Sequence, residues 1–224
     1  MPISIIIPVY KEEANINQTI ENIYKQDKDI EIIVADSEEN FSTLKAIIYD
    51  KVKKIKSPKG RSLQMNEGSK QATGDILLFL HADTILPLNA FKNIISVMNN
   101  HNVTAGAFNL SINSQRSIFR LIEKISSFRS NLTKIPYGDQ AIFIRREYFE
   151  STGRYKEYPL MEEVELMQRL KKDRRKIRII KDKVQTSSRR WEKEGIIYCT
   201  LRNWLLIISY FLGVSPEKLV KLYK

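Results

Sequence analysis

Between residues 1 and 80, short continuous runs of aliphatic side chains alternate with polar stretches of helical spacing, and this alternation constrains the fold more than any other feature. Ser4 to Val9 reads as an apolar strand, followed by a helix over Glu12 to Lys25 that spaces Ile16, Ile20, Ile23 and Tyr24 on one face. Glu31 to Ala35 is a second strand, ending at Asp36. Phe41 to Tyr49 is a helix, Val52 to Ile55 a third strand and Arg61 to Ala72 another helix. Gly74-Asp75 then turns the chain into Ile76 to Leu80, a fourth and almost wholly apolar strand. Continuous apolar strands between amphipathic helices imply a mostly parallel α/β sheet covered on both faces. Sheets of that kind bind ligands beyond the carboxyl ends of their strands.

Beyond Pro87 the pattern loosens. A helix over Asn89 to Met98 precedes a strand over Ala105 to Ile112, helical segments around Ile118 to Phe128, and the loop Pro136-Tyr137-Gly138-Asp139. Gln140 to Ile144 reads as a strand, Leu160 to Lys171 as a helix and Ile177 to Ile180 as a late strand. No internal repeat, low-complexity linker or clean boundary interrupts the 224 residues, so a single domain is expected. A chain of this length buries roughly 70% of its unfolded surface and can sustain one core without staples.

The lone Cys199 excludes an intrachain disulfide and any multi-cysteine metal site, and the two histidines, His81 and His101, exclude a three-histidine zinc site. Met1 to Pro8 has no basic segment before its apolar run and reads as a strand, not a signal peptide. No apolar stretch reaches the ~20 residues a membrane span needs. A cytoplasmic protein is expected. The eleven-residue stretch Trp204 to Val214, broken only weakly by Ser209 and Gly213, leaves two readings open. One is a helix packed on the domain; the other is a helix lying peripherally on the inner face of the membrane.

Charge supports the second reading without deciding it. Residues 1–60 carry 9 basic and 10 acidic side chains, whereas residues 169–190 carry 11 basic and 2 acidic ones. Such a block suits phosphates or an anionic membrane surface, or is simply a solvated face. Nucleic acid is not the expected partner, because no zinc-finger spacing, basic-region zipper or aromatic-basic sheet signature accompanies the charge.

Three acidic positions fall where α/β sheets place active sites. Asp36 closes the second strand, Asp83 follows the fourth in Leu80-His81-Ala82-Asp83-Thr84, and Glu162-Glu163 sit at a helix start after Pro159-Leu160-Met161. A loop aspartate can hold a divalent cation through oxygen, and that cation neutralises a diphosphate. A second carboxylate from another element can deprotonate an alcohol. Each position alone is more often a cap, turn or surface group; the set is more telling than its members.

The residues around those positions carry a resemblance. Ile5-Ile6-Ile7-Pro8-Val9-Tyr10-Lys11-Glu12-Glu13, Gly60-Arg61-Ser62-Leu63-Gln64-Met65-Asn66-Glu67-Gly68 and Leu78-Phe79-Leu80-His81-Ala82-Asp83-Thr84 come first. Pro136-Tyr137-Gly138-Asp139-Gln140-Ala141, Pro159 to Leu166, Thr186-Ser187-Ser188-Arg189-Arg190-Trp191 and the tail Asn203-Trp204 through Pro216 follow in order. The chain resembles a family 2 glycosyltransferase with the nucleotide-diphospho-sugar transferase (GT-A) fold. Within that family it is similar to the short bacterial subgroup described as radical-SAM or selenium-domain associated. The likeness implies a mixed, mostly parallel central sheet flanked by helices, with a helical C-terminal extension. It divides the domain into a nucleotide-sugar-binding half (1–100), an acceptor and catalytic half (101–195) and C-terminal helices (196–224).

The resemblance also implies roles. Asp36 belongs to the nucleoside pocket, with Pro8, Tyr10 and Glu12 lining it and Arg61 approaching the base or phosphates. Asp83 holds Mg²⁺ or Mn²⁺ on the diphosphate, and His81 stands where many relatives have the first aspartate of the DxD pair. Glu163 takes the catalytic-base position, beside Glu162, with Asp139 next in line. Arg189, Arg190 and Trp191 match the end of the family's Gln-x-x-Arg-Trp pattern, although its glutamine is Ser187 here. Relatives continue after Asp36 with a Gly-Gly-Ser-x-Asp-x-Thr segment that this chain replaces with Ser37-Glu38-Glu39-Asn40-Phe41-Ser42-Thr43. The implied activity is inverting transfer from a nucleotide-diphospho-sugar, expected to be a UDP-sugar, to an acceptor hydroxyl, free or lipid-linked. The altered loop keeps a weakly active or non-catalytic nucleotide-sugar-binding protein as an alternative. A sugar-phosphate nucleotidyltransferase shares the architecture, but it would open with a Gly-rich basic loop that Pro8-Val9-Tyr10-Lys11-Glu12 is not.

Overall fold

The computed structural model describes residues 1–223. Its centre is an eight-stranded sheet in the order β3-β2-β1-β4-β7-β6-β8-β5. β1 (Ile3–Val9), β2 (Glu31–Asp36), β3 (Lys53–Lys56) and β4 (Ile76–Phe79) are all parallel, with β1 and β2 in register from Ser4 opposite Glu31 to Val9 opposite Asp36. β7 (Ile142–Arg145) joins β4 antiparallel, β6 (Val103–Asn113) joins β7 antiparallel, and β8 (Lys176–Ser187) runs parallel to β6. The two-residue β5 (Thr84–Ile85) caps the far edge against β8. The sheet is mixed and mostly parallel, as expected.

Period-two alternation sends successive side chains of the apolar strands into two different cores. Ile5, Ile7, Ile32, Val34, Leu78 and Leu80 pack with Ile16, Ile20 and Ile23 of α1 (Ile16–Tyr24), Phe91 and Ile94 of α4 (Ala90–Met98) and Phe119 of α5 (Ser117–Thr133). Ile6, Ile33, Leu77 and Phe79 face the other way. They meet Met65 of α3 (Arg61–Lys70), Phe149 of α6 (Arg146–Ser151) and Val164, Met167 and Leu170 of α7 (Glu162–Lys172). Gly68 lets α3 lie close on the sheet, since a Cβ there would come within 2.5 Å of Ile6 Cγ2.

The element boundaries depart from expectation in several places. α2 is one short turn, Ser42–Ala46, because Ile47 is already extended and ends it. α6 and β5 were not anticipated; each is too short to carry a periodic signal. β8 is three times the length its apolar residues suggest. Its inward side chains Ile177, Ile180, Val184 and Thr186 are buried, while Lys176, Arg178, Lys181 and Lys183 face solvent. The basic block is therefore no single face, since Arg169 is paired with Glu165 on α7 and Arg189 turns towards β1.

After α8 (Arg189–Glu194), the chain ends in α9 (Ile196–Phe211) and α10 (Pro216–Tyr223). Leu206 of α9 packs with Leu219 of α10 and Leu160 in a small third core. No helix among the described residues is long and apolar enough to cross a membrane.

Candidate active site

Because β1, β2 and β4 are parallel, their carboxyl ends open on one edge of the sheet. Gln64 of α3 sits in that opening and donates from Nε2 to the carbonyls of Val9 (2.6 Å) and Ala35 (2.8 Å), tying the two strand ends together. Thr19 of α1 donates to the Ala82 carbonyl at 2.6 Å and fixes the loop after β4. Neither residue was singled out in the sequence: Gln64 stands inside a motif without a role of its own, and Thr19 lies on a helix face outside any motif.

A cleft of about 500 Å³ lies over these ends, within the usual range for ligand sites. Pro8, Tyr10 and Glu12 line it from the end of β1, and His81 and Asp83 from the loop after β4. Arg61 enters from α3, Asp139 from a short 3₁₀ turn at Gly138–Gln140, and Glu163 from the first turn of α7. Arg189, Arg190 and Trp191 close the side formed by α8. Asn203 of α9 and Tyr223 of α10 also line it, which the sequence did not disclose. The Tyr223 hydroxyl accepts a hydrogen bond from Arg190, and the guanidinium lies 3.8 Å from the ring centroid.

Asp36 and Glu162 are placed differently. The buried Asp36 carboxylate accepts the backbone N–H groups of Glu38 (2.9 Å) and Leu44 (3.4 Å) and does not line the cleft. Glu38 in turn accepts from the backbone of Asn40 (3.0 Å) and Ser42 (3.2 Å). The loop that replaces the glycine-containing segment is thus held by its own acids. Glu162, 1% exposed, accepts from Arg61 Nε at 2.6 Å and points away from the cleft lining.

Glu163 is 5% exposed, and its Oε1 lies 3.4 Å from Arg61 Nε without a hydrogen bond. Burial is the main reason its pKa is raised, to about 7; Arg61 opposes the shift, while Glu162 and Asp139 reinforce it. Gly138 makes room for this carboxylate, since a Cβ there would fall 2.2 Å from Glu163 Oε1 and 2.9 Å from His81 Nε2. His81 is held neutral, its pKa lowered to about 3 by burial and the nearby Arg61. Its Nε2 and Asp139 Oδ1 are buried without partners. Met161 and Ala141, on either side of these groups, adopt left-handed backbone (φ 71° and 50°), a costly conformation for residues with a Cβ that tends to gather at functional sites.

Glu12 and Asp83 share one cation. Arg189 Nη2 lies 2.8 Å from Glu12 Oε1 and 3.8 Å from Asp83 Oδ2. Burial and the neighbouring Glu12 raise the Asp83 pKa, and Arg189 partly offsets them. Two converging carboxylates with that electrostatic demand suit a hard cation, which needs only one or two protein carboxylates when phosphates supply the rest. No cluster of three or more His, Cys, Asp or Glu side chains that could cage a metal exists among the described residues. The donor set thus fits a cation shared with a ligand, and Asp83 suits it better than the imidazole of His81.

Comparison with protein families matches residues 4–189 to Glycosyl transferase family 2. The chain belongs to that family. The match runs from β1 into the start of α8 and so spans both the strand ends and Glu163. Among solved structures, the mannosyltransferase PcManGT from Pyrobaculum calidifontis, in complex with GDP-Man and Mn²⁺, aligns with a TM-score of 0.68 at 19% identity. That alignment covers 89% of this chain and 59% of the other. S. aureus TarS aligns at 0.64 both with UDP (18% identity, 84% and 60% covered) and with UDP-GlcNAc (19%, 84% and 58%). At such identities the likeness establishes the GT-A architecture. The chain spans about three-fifths of the length of these neighbours. No curated protein matches it.

Proposed function

We propose that this family 2 glycosyltransferase transfers a sugar, with inversion, from a nucleotide-diphospho-sugar to an acceptor hydroxyl. The observation that carries the reading is one cleft holding Asp83 from the loop after β4 and, on a separate element, the buried carboxylate of Glu163. The neighbours bound to GDP-Man and UDP-GlcNAc support a nucleotide-sugar donor, and a UDP-sugar is our expectation.

In the proposed reaction Glu163 accepts the proton of the acceptor hydroxyl as its oxygen attacks the anomeric carbon. The new C–O bond forms on the face opposite the breaking bond to the diphosphate, and the nucleoside diphosphate leaves with that electron pair. Asp83, with Glu12 beside it, would hold Mg²⁺ or Mn²⁺, which when bound neutralises charge on the diphosphate. The Mn²⁺ complex of the mannosyltransferase supports use of a divalent metal. Arg61 and Arg190 supply further positive charge where the leaving group departs. Arg61 keeps its charge, because the flanking glutamates outweigh its burial. Gly138 and Met161 shape the space for the acceptor beside Glu163.

The test is a screen of the purified protein against UDP- and GDP-sugars with Mg²⁺ or Mn²⁺, followed by acceptor extracts and mass spectrometry. Wild type should give metal-dependent hydrolysis or transfer with at least one donor, and folded Glu163→Gln should lose turnover by roughly 10²-fold or more. No binding or turnover of any nucleotide sugar would overturn the reading.

A further inference from the structure

Beside the polar cleft runs a second cavity of about 420 Å³, set between α5 and α9. Its walls are two matched apolar stripes. Ile118, Ile122 and Ile125 line it from α5, and Ile197, Leu201, Trp204 and Ile208 from α9, each set at the i, i+4, i+7 spacing of one helix face. Arg129 and Asp139 are the charged residues that line it among those described. Both lie at one end. Asp139 lines the polar cleft as well, and the Arg129 guanidinium stacks 3.3 Å over the ring of Tyr137, which also lines both cavities.

Tyr137, Asp139, Trp191, Asn203 and Ile207 line both spaces, so the groove abuts the cleft that holds Glu163. At this junction Asp139 Oδ1 and Trp191 Nε1 are buried without hydrogen-bond partners. Arg129 donates to the Ile135 carbonyl and Gln140 Oε1 but has no carboxylate within salt-bridge distance among the described residues. The groove is mostly apolar, with Ser126 and Thr200 as its small polar interruptions, and its charged groups stand beside the reactive end. That is the complement of an amphiphile. A partner helix or a second copy of the chain would cover the apolar walls but has no need of a polar end set against the cleft.

Resting on the transferase reading above, we propose that the acceptor is a membrane lipid whose hydrocarbon chain lies in the α5–α9 groove and whose hydroxyl-bearing head sits at Asp139 and Tyr137, beside Glu163. The groove's outer rim fits delivery from a bilayer. Leu121 and Phe128 of α5 and Leu205 and Phe211 of α9 are each more than half exposed, apolar side chains of the kind that mark membrane or partner contact.

The protein reports on this groove directly, because its two tryptophans, Trp191 and Trp204, both line it. The probes are 1-alkylglycerols of increasing chain length with a terminal bromine as quencher, titrated below their micelle concentrations. Tryptophan quenching should show affinity rising about fourfold per added methylene until the chain outgrows the groove. Ile125→Asp and Leu201→Asp place a carboxylate in the apolar wall at accessible positions; with native circular dichroism, each should abolish the length dependence while leaving UDP or GDP binding by calorimetry intact. Affinity independent of chain length, or length dependence that survives both substitutions, overturns the lipid groove and leaves the transferase reading standing. Length-dependent quenching in a protein that binds neither UDP nor GDP overturns the acceptor role together with that reading.

Discussion

Glu162 and Glu163 are neighbours in sequence but not in environment. Adjacent positions on a helix point ~100° apart, so one carboxylate locks Arg61 while the other faces the cleft and is left a basic oxygen. Glu162→Gln should therefore reduce kcat less than Glu163→Gln, measured at saturating donor and acceptor; the reverse order would move the base to Glu162. Since a base acts only when deprotonated and the Glu163 pKa is raised to about 7, kcat should climb with pH below about 7 and level off above it. A flat profile from pH 5.5 to 8.5 would count against Glu163. Asp83→Asn should keep the fold and lose the metal dependence of UDP or GDP affinity; unchanged Mn²⁺-dependent affinity by calorimetry would remove Asp83 from the cation site. At this scale the sequence pointed to most of the cleft residues through motifs, whereas Asp36 stands outside the cleft lining. Its carboxylate is occupied by backbone N–H groups of the following loop, a use no motif distinguishes from ligand binding.

At the scale of elements, the parallel front half depends on a polar clamp near the start of β2. Glu31 accepts from Ser4 of β1, from Lys53 of β3 at 2.6 Å and from the Thr73 backbone at 2.8 Å. Burial alone would raise Glu31, but these hydrogen bonds prevail and hold it at about 2. A carboxylate depressed in the folded state contributes stability that is full above its ordinary value and is lost as pH falls through about 2. With Lys53 half exposed and screened by solvent, about 1–2 kcal/mol is the expected contribution. Glu31→Gln should lower stability to urea by that amount at pH 7, with the difference shrinking towards pH 2; an equal loss at both pH values would mean packing rather than charge is responsible. β1 and β2 were legible because both of their faces are apolar, whereas β3 is an exposed Lys-Lys-Ile-Lys edge. β8 was only partly legible: Ile177 and Ile180 enter different cores, but beyond Ile180 the exposed positions are charged or polar and just one face carries the signal.

On the scale of the whole molecule, the net charge of +11 and the apolar rim of α5 and α9 combine two attractions to an anionic bilayer. Co-sedimentation with vesicles rich in anionic lipid should be strong at low salt and weaken as ionic strength rises, since exposed charges more than ~10 Å apart are screened at 0.1 M. No binding at low salt would show that α9 serves only as packing and as a wall of the groove. Docking through this rim would bring the groove mouth to the lipid, so the surface property and the proposed acceptor belong to one geometry.

The sequence alone determined the layered α/β architecture, because continuous apolar strands must be covered on both sides and parallel strands must place their carboxyl ends together. It also determined which loops reach that edge, through the residues flanking Asp83, Gly138 and Glu163. Only the tertiary structure decided what each side chain does once there. Arg61 chooses between two glutamates 101 and 102 positions away, Arg189 bridges Glu12 and Asp83, and α10 brings Tyr223 back across the chain to Arg190. The groove is likewise absent from any local pattern. Each of its helices shows an ordinary apolar stripe, and the cavity exists because α5 and α9, about eighty residues apart in sequence, face each other without closing. Periodicity records which face of a helix avoids water; what that face meets is set by packing between distant segments.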